Sequence, residues 1–168
     1  MALNPLAASA RAMYVAIAVI SFVLIAIALV LQHAVGLAPC PLCIFQRIAY
    51  FAVGFLAAAA AALMPRRSAR VFGVLVLLST LAGAGIAARH VWLQMQPESL
   101  SCGPGLQTML ENFPLTEVLP KVFRGSGDCA EAGWTLLGLT IAEWSLLWFV
   151  ILFAATLVAL FWPRSRPV

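Results

Sequence analysis

The chain has 168 residues, of which 64% are apolar and only 10% charged, far from the roughly half apolar and quarter charged of a soluble domain. Lipid is its natural solvent, and the formal charge of +4 reflects the placement of arginines about a membrane, with no nucleic-acid partner implied. The length suits a single membrane domain over 1–168.

Four apolar stretches, near 13–31, 42–63, 71–88 and 144–162, each approach the roughly 20 residues that cross a bilayer core. The first is too long for the apolar part of a signal peptide. Short connections rich in Lys and Arg stay cytoplasmic. Arg11, then Arg66, Arg67 and Arg70, then Arg164 and Arg166 therefore place both termini and the second connection inside. All six acidic residues fall in or at the edge of the connection between spans three and four. That connection, about 89–143, and the short link at about 32–41 face outward. The expected fold is an all-α integral membrane protein, a four-helix transmembrane bundle with a long outer loop.

Span two opens on Pro39-Cys40-Pro41-Leu42-Cys43. Proline is tolerated in the first helical turn and not beyond it, so Cys43 is expected within that turn. There the unpaired backbone donors and the positive end of the helix dipole favour a thiolate. Arg47 follows at i+4 on the same helical face. An ionisable residue inside a span is a functional candidate, although an arginine snorkelling to lipid phosphates would have the same sequence. A thiolate beside a permanent cation at lipid depth suits a hydrophobic two-electron acceptor such as a quinone. His90, expected just past span three at the outer boundary, could donate to a quinone oxygen or belong to an interfacial belt.

Cys102 and Cys129 lie in the long connection, so the topology puts all four cysteines on the outer side, where disulfides persist in a bacterial cell. Their pairing stays open, Cys40 with Cys43 and Cys102 with Cys129 being the economical choice. A disulfide closing a four-residue loop stabilises little, which points to exchange. Ser101, Gly103, Pro104 and Gly105 surround Cys102, and Gly125, Ser126 and Gly127 precede Cys129, which predicts mobile segments suited to exchange. Between them Leu115, Val118, Leu119, Val122 and Phe123 recur at helical spacing, predicting a short amphipathic helix on the membrane surface, with Thr116 as its cap. A zinc site with His33 or His90 has less support, because zinc favours two closely spaced pairs. The expected metal content is none.

Gln32-His33, Pro39 to Arg47, Arg89-His90 with Leu93-Gln94, and Gly125 to Glu131 together resemble the disulfide bond formation protein B (DsbB) family. The resemblance runs from about Gln32 to Trp144. It implies a protein-dithiol:quinone oxidoreductase of the bacterial inner membrane that reoxidises a periplasmic DsbA-like thioredoxin-fold protein, using ubiquinone or menaquinone. In that family the DsbA–DsbB–quinone route keeps the bacterial periplasm oxidising. By matching motifs, Cys102 would be attacked by the partner, Cys129 would be its disulfide mate, Cys40 would take electrons from the loop pair, and Cys43 would face the quinone. Arg47 and His90 match family residues at the quinone. Gln46 stands where one well-known member has glutamate, with little consequence expected. Competing readings are a vitamin K epoxide reductase-like enzyme, which shares scaffold and chemistry, a protein merely stapled by two disulfides, and a metal-binding or transport protein.

Overall fold

The computed structural model describes residues 5–34, 36, 40–64, 68–95 and 135–161. They form α1 (Pro5–Ala34), α2 (Pro41–Leu63), α3 (Ser68–Gln94), a hairpin of β1 (Thr135–Leu136) and β2 (Leu139–Thr140), and α4 (Ile141–Phe161). The stretches Ala10–Ala34, Leu42–Leu63, Ser68–Gln94 and Ile141–Phe161 are each long and apolar enough to cross a membrane. The chain is thus a multi-pass membrane protein built as a four-helix bundle. α2 packs on α1 and α3, α3 packs on α4, and α1 meets α4 more sparsely.

The C-terminal ends of two spans run well past the sequence expectation. α1 continues to Ala34 and α3 to Gln94, because hydropathy falls at Gln32, Arg89 and His90 whereas helical hydrogen bonding does not. His90 therefore lies inside α3 and is buried, not exposed in an outer belt. The segment expected to be loop up to residue 143 instead ends in ordered structure: the hairpin leads directly into α4. The expected surface helix around 115–123 lies outside the described residues.

The hairpin turns through Leu137 (φ 55°) and Gly138 (φ 82°), a pair of positive φ values that matches the right-handed twist of the flanking strands. Thr140 and Glu143 then cap α4 reciprocally. The Thr140 amide donates to a Glu143 carboxylate oxygen at 2.7 Å, and the Glu143 amide donates to Thr140 Oγ1 at 3.3 Å, satisfying donors that a helix start leaves unpaired. Trp144 Nε1 donates to the Leu136 carbonyl at 3.0 Å, and Thr140 Oγ1 donates to Gln94 Oε1 at 3.0 Å. The start of α4 is thereby tied to the end of α3.

In lipid no hydrophobic force draws helices together, so close packing at small residues does. Phe149 of α4 stacks on Tyr50 of α2, with ring centroids 4.1 Å apart, and its far side fills the space at Gly83 of α3, where a Cβ would overlap the ring. Ala57, Ala60 and Ala61 give α2 a similarly thin buried face. Buried hydroxyls return to their own helices: Ser21 donates to the Ile17 carbonyl at 2.8 Å and Thr156 to the Leu152 carbonyl at 2.7 Å. Val15, Val19, Val23, Val30, Phe55 and Leu78 instead stand exposed on the outside of the bundle, an arrangement suited to acyl chains and not to water.

Gly83→Ala is expected to lower stability by about 1–3 kcal/mol through overpacking, read as a lower thermal midpoint in detergent. Gly85→Ala, where an added Cβ meets nothing within 4 Å, should leave that midpoint unchanged or slightly higher. Thr140→Ala removes the cap of α4 and should cost about 1 kcal/mol, with faster hydrogen exchange at the first turn of α4.

Candidate functional site

Cys40 is the N-cap of α2. Its backbone is extended (φ −75°, ψ 163°), its carbonyl accepts from the Ile44 amide at 3.2 Å, and its sulfur accepts from the Cys43 amide at 3.3 Å. The helix begins here because proline follows at its first position, where a missing N–H costs nothing. This turn brings the two sulfurs together. Both cysteines are free, and the Cys40 thiol donates to Cys43 Sγ at 3.0 Å. Cys40 is buried and Cys43 half-buried, so the less accessible sulfur carries the proton and the more accessible one receives it. That hydrogen bond, and after it burial, holds the Cys40 thiol well above the ordinary cysteine range.

His90 comes to the pair from α3. Its Nε2 lies 3.7 Å from Cys40 Sγ, and its Nδ1 lies 3.1 Å from Gln46 Nε2 on α2. Cys40, Gln46 and His90 are only 4%, 5% and 3% exposed, so this polar chain is closed off within the helix seam. Leu93, one turn beyond His90, packs on Cys40. Gln46 therefore has a partner and a place, where the sequence alone suggested little consequence. The available signal was its chemistry: a glutamine buried in an apolar span must find hydrogen bonds.

Arg47 lies one turn beyond Cys43 and reaches across to α1. One guanidinium nitrogen donates to Gln32 Oε1, and the other donates to the Ala28 carbonyl at 3.2 Å. The side chain is thus held by protein and not drawn to lipid phosphates. Gln32 was visible in the sequence only as part of a motif, and its role as the arginine's anchor depends on α1 and α2 packing side by side. His33, the other histidine considered, is exposed in the last turn of α1.

The ligand atoms of Cys40, Cys43 and His90 all lie within 4.8 Å of one another. They would serve as three donors to a soft cation, and no fourth Cys, His, Asp or Glu joins them among the described residues. Two adjacent thiols at a helix start, with a cation one turn away, are equally the layout of a dithiol that is opened and closed by exchange. Cys102 and Cys129 lie outside the described residues.

The family described as "Disulfide bond formation protein DsbB" matches residues 10–159. The chain is 48% identical to the Disulfide bond formation protein B of Azoarcus sp. over 94% of its own length and 95% of the relative's. It is 44% identical to the protein of that name from Aromatoleum aromaticum, covering 90% and 93% of the two chains. With the one from Nitrosococcus oceani it shares 49% identity, covering 77% and 78%. Agreement on this scale spans all four helices as well as the cysteine motif, and the chain belongs to the disulfide bond formation protein B family, membrane oxidoreductases that act in disulfide formation.

Proposed function

We propose that this chain is a protein-dithiol:quinone oxidoreductase of the bacterial inner membrane. It takes electrons from a DsbA-like periplasmic protein through Cys102 and Cys129, passes them to Cys40 and Cys43, and delivers them to ubiquinone or menaquinone, with all four cysteines on the periplasmic side. The observation that carries this reading is the free Cys40–Cys43 pair at the head of α2, sulfurs 3.0 Å apart, with a protein-held arginine one turn away.

The residues at this end fit a quinone. Cys43 is half-buried at the start of a membrane span, where an apolar ring system can lie against its sulfur. Arg47 cannot lose its proton, and its bonds to α1 keep the charge in place without reorganisation, which is what makes a fixed donor effective where negative charge develops. His90 completes the polar surroundings of the pair. A bound quinone would supply a two-electron acceptor of higher potential than the partner's, which for DsbA is about −120 mV. Glutathione is poised too negative for that task.

Within the protein, a thiolate from the loop pair attacks Cys40 Sγ and displaces Cys43 as a thiolate. The helix start and Arg47 stabilise that leaving charge. The second loop thiolate then attacks the loop sulfur bonded to Cys40 and frees Cys40 as a thiolate, leaving the loop pair as a disulfide. Cys43 is the electron donor facing lipid, and its bond with Cys40 re-forms as two electrons pass to the acceptor. The metal-centre reading on the same three donors predicts stoichiometric metal in the purified protein.

The test mixes purified protein, a reduced DsbA-like partner and a soluble quinone, and follows quinone absorbance. Cys43→Ser should abolish quinone loss while still trapping the partner in a mixed disulfide at Cys102. Arg47→Ala should slow turnover about 10- to 100-fold, the loss of a charged hydrogen bond of roughly 1.5–3 kcal/mol. Wild-type quinone reduction by Cys43→Ser would refute the assignment, and bound metal with no quinone loss would establish the metal centre instead.

A further inference from the structure

We propose that His90 is the proton acceptor and donor for Cys40, and that Gln46 is the positioning residue that holds the histidine to this task. The proposal rests on the dithiol chemistry proposed above, and extends it to the step in which the pair closes.

The geometry sets the roles. Of the two sulfurs, Cys40 carries the proton, donating it to Cys43 at 3.0 Å. A thiol does not form a disulfide until that proton leaves, because the thiolate is the nucleophile. His90 Nε2, 3.7 Å from Cys40 Sγ, is within reach of the buried sulfur and is a base in the tautomer that carries its proton on Nδ1. Histidine is the side chain whose proton affinity suits such exchange near neutrality. In the step, the Cys40 S–H bond breaks and the proton goes to His90 Nε2. The Cys40 electron pair forms the bond to Cys43 Sγ, and the pair displaced from Cys43 leaves with the two-electron oxidant. The dithiol is oxidised and the oxidant reduced. When Cys40 is later released as a thiolate, the proton returns to it from His90.

Gln46 makes this exchange possible in both directions. With its amide nitrogen toward the ring, as the 3.1 Å contact to Nδ1 has it, it donates to Nδ1 and leaves the ring proton on Nε2, aimed at Cys40. With the amide turned over, its oxygen accepts from an Nδ1–H, and Nε2 is bare to take the Cys40 proton. A glutamine offers both a donor and an acceptor, whereas an ionised carboxylate only accepts. Holding the second ring nitrogen is also what fixes the orientation of the imidazole.

The charged and titratable groups around His90 among the described residues are few. From α2 come Cys40 and Cys43, and Arg47, which is turned to α1. On α3 itself Arg89 is exposed. At the start of α4, Glu143 is engaged by the Thr140 amide. Among the described residues, the cysteine pair is the titratable group within reach of the His90 ring.

The experiment uses the full-length chain in detergent with Cys102→Ser and Cys129→Ser, so that only Cys40 and Cys43 react, and replaces the quinone by bis(para-nitrophenyl) disulfide. The half-buried Cys43 releases one coloured arylthiolate, and closure by Cys40 releases the second. The second release should rise with pH through a limb that depends on His90. His90→Ala should slow it about 100-fold or more relative to the first release and replace the limb by a continuous rise with hydroxide. Gln46→Leu should slow the second release about tenfold with the first release less affected. Gln46→Glu, which can still hold Nδ1, should restore the rate. A second release in His90→Ala with the wild-type rate and pH profile overturns the proposal. So does Gln46→Leu slowing both releases alike without rescue by Gln46→Glu, which would mark a purely structural glutamine. Because no quinone takes part, a protein that closes its disulfide as described yet reduces no quinone would sink the quinone reading and leave this one standing.

Discussion

Because the sulfur of Cys40 accepts a hydrogen bond from the Cys43 amide, one cysteine lies just outside α2 and its mate lies within the first turn. Capping by a thiol brings two sulfurs together and starts the helix within the same four residues, Cys40 to Cys43. Everything else at this end follows from where that turn sits: Arg47 falls one turn further on, facing α1, and Gln46 falls on the side that meets α3. Neighbouring helices then supply the partners, Gln32 and the Ala28 carbonyl for the arginine and His90 for the glutamine.

The rest of the bundle holds these helices close enough for such contacts. Lipid gives no hydrophobic gain for helix association, so the approach depends on shape: Phe149 between Tyr50 and the bare backbone of Gly83, and an alanine-rich face along α2. Buried polar groups such as Ser21 and Thr156, away from the cysteine end, are satisfied locally, hydroxyl to carbonyl within a helix. Those at the cysteine end are satisfied between helices. Breaking a contact there changes the relation of two elements and does more than remove a bond.

Much of this was legible in the residues. The four spans follow from hydropathy, the helix start from Pro41, and the shared face of Cys43 and Arg47 from helical spacing. The ends of α1 and α3 were set too short, because a hydropathy window stops at the first polar residues whether or not the helix does. For the same reason His90 was placed at an interface when it is buried in α3. The roles of Gln46 and Gln32 were out of reach: each depends on which helices are neighbours, a fact of tertiary packing that no periodicity within one span contains. The hairpin before α4 was missed because its strands are two residues each, too short for an alternation to register, and the positive φ of Leu137 runs against the preference of its side chain.

The bond from Thr140 to Gln94 joins the two ends of the long connection beside Leu93, which itself packs on Cys40. The intervening stretch thus leaves and re-enters the bundle at one place, and its cysteines sit at nearly equal distances along the chain from it: Cys102 a few residues after Met95, Cys129 a few before Thr135. Six or seven residues reach about 20–24 Å when extended, and loop-closure entropy changes slowly with length. In the proposed exchange, chain reach alone does not choose between the two loop cysteines for the thiol that meets Cys40, so any preference between them comes from chemistry.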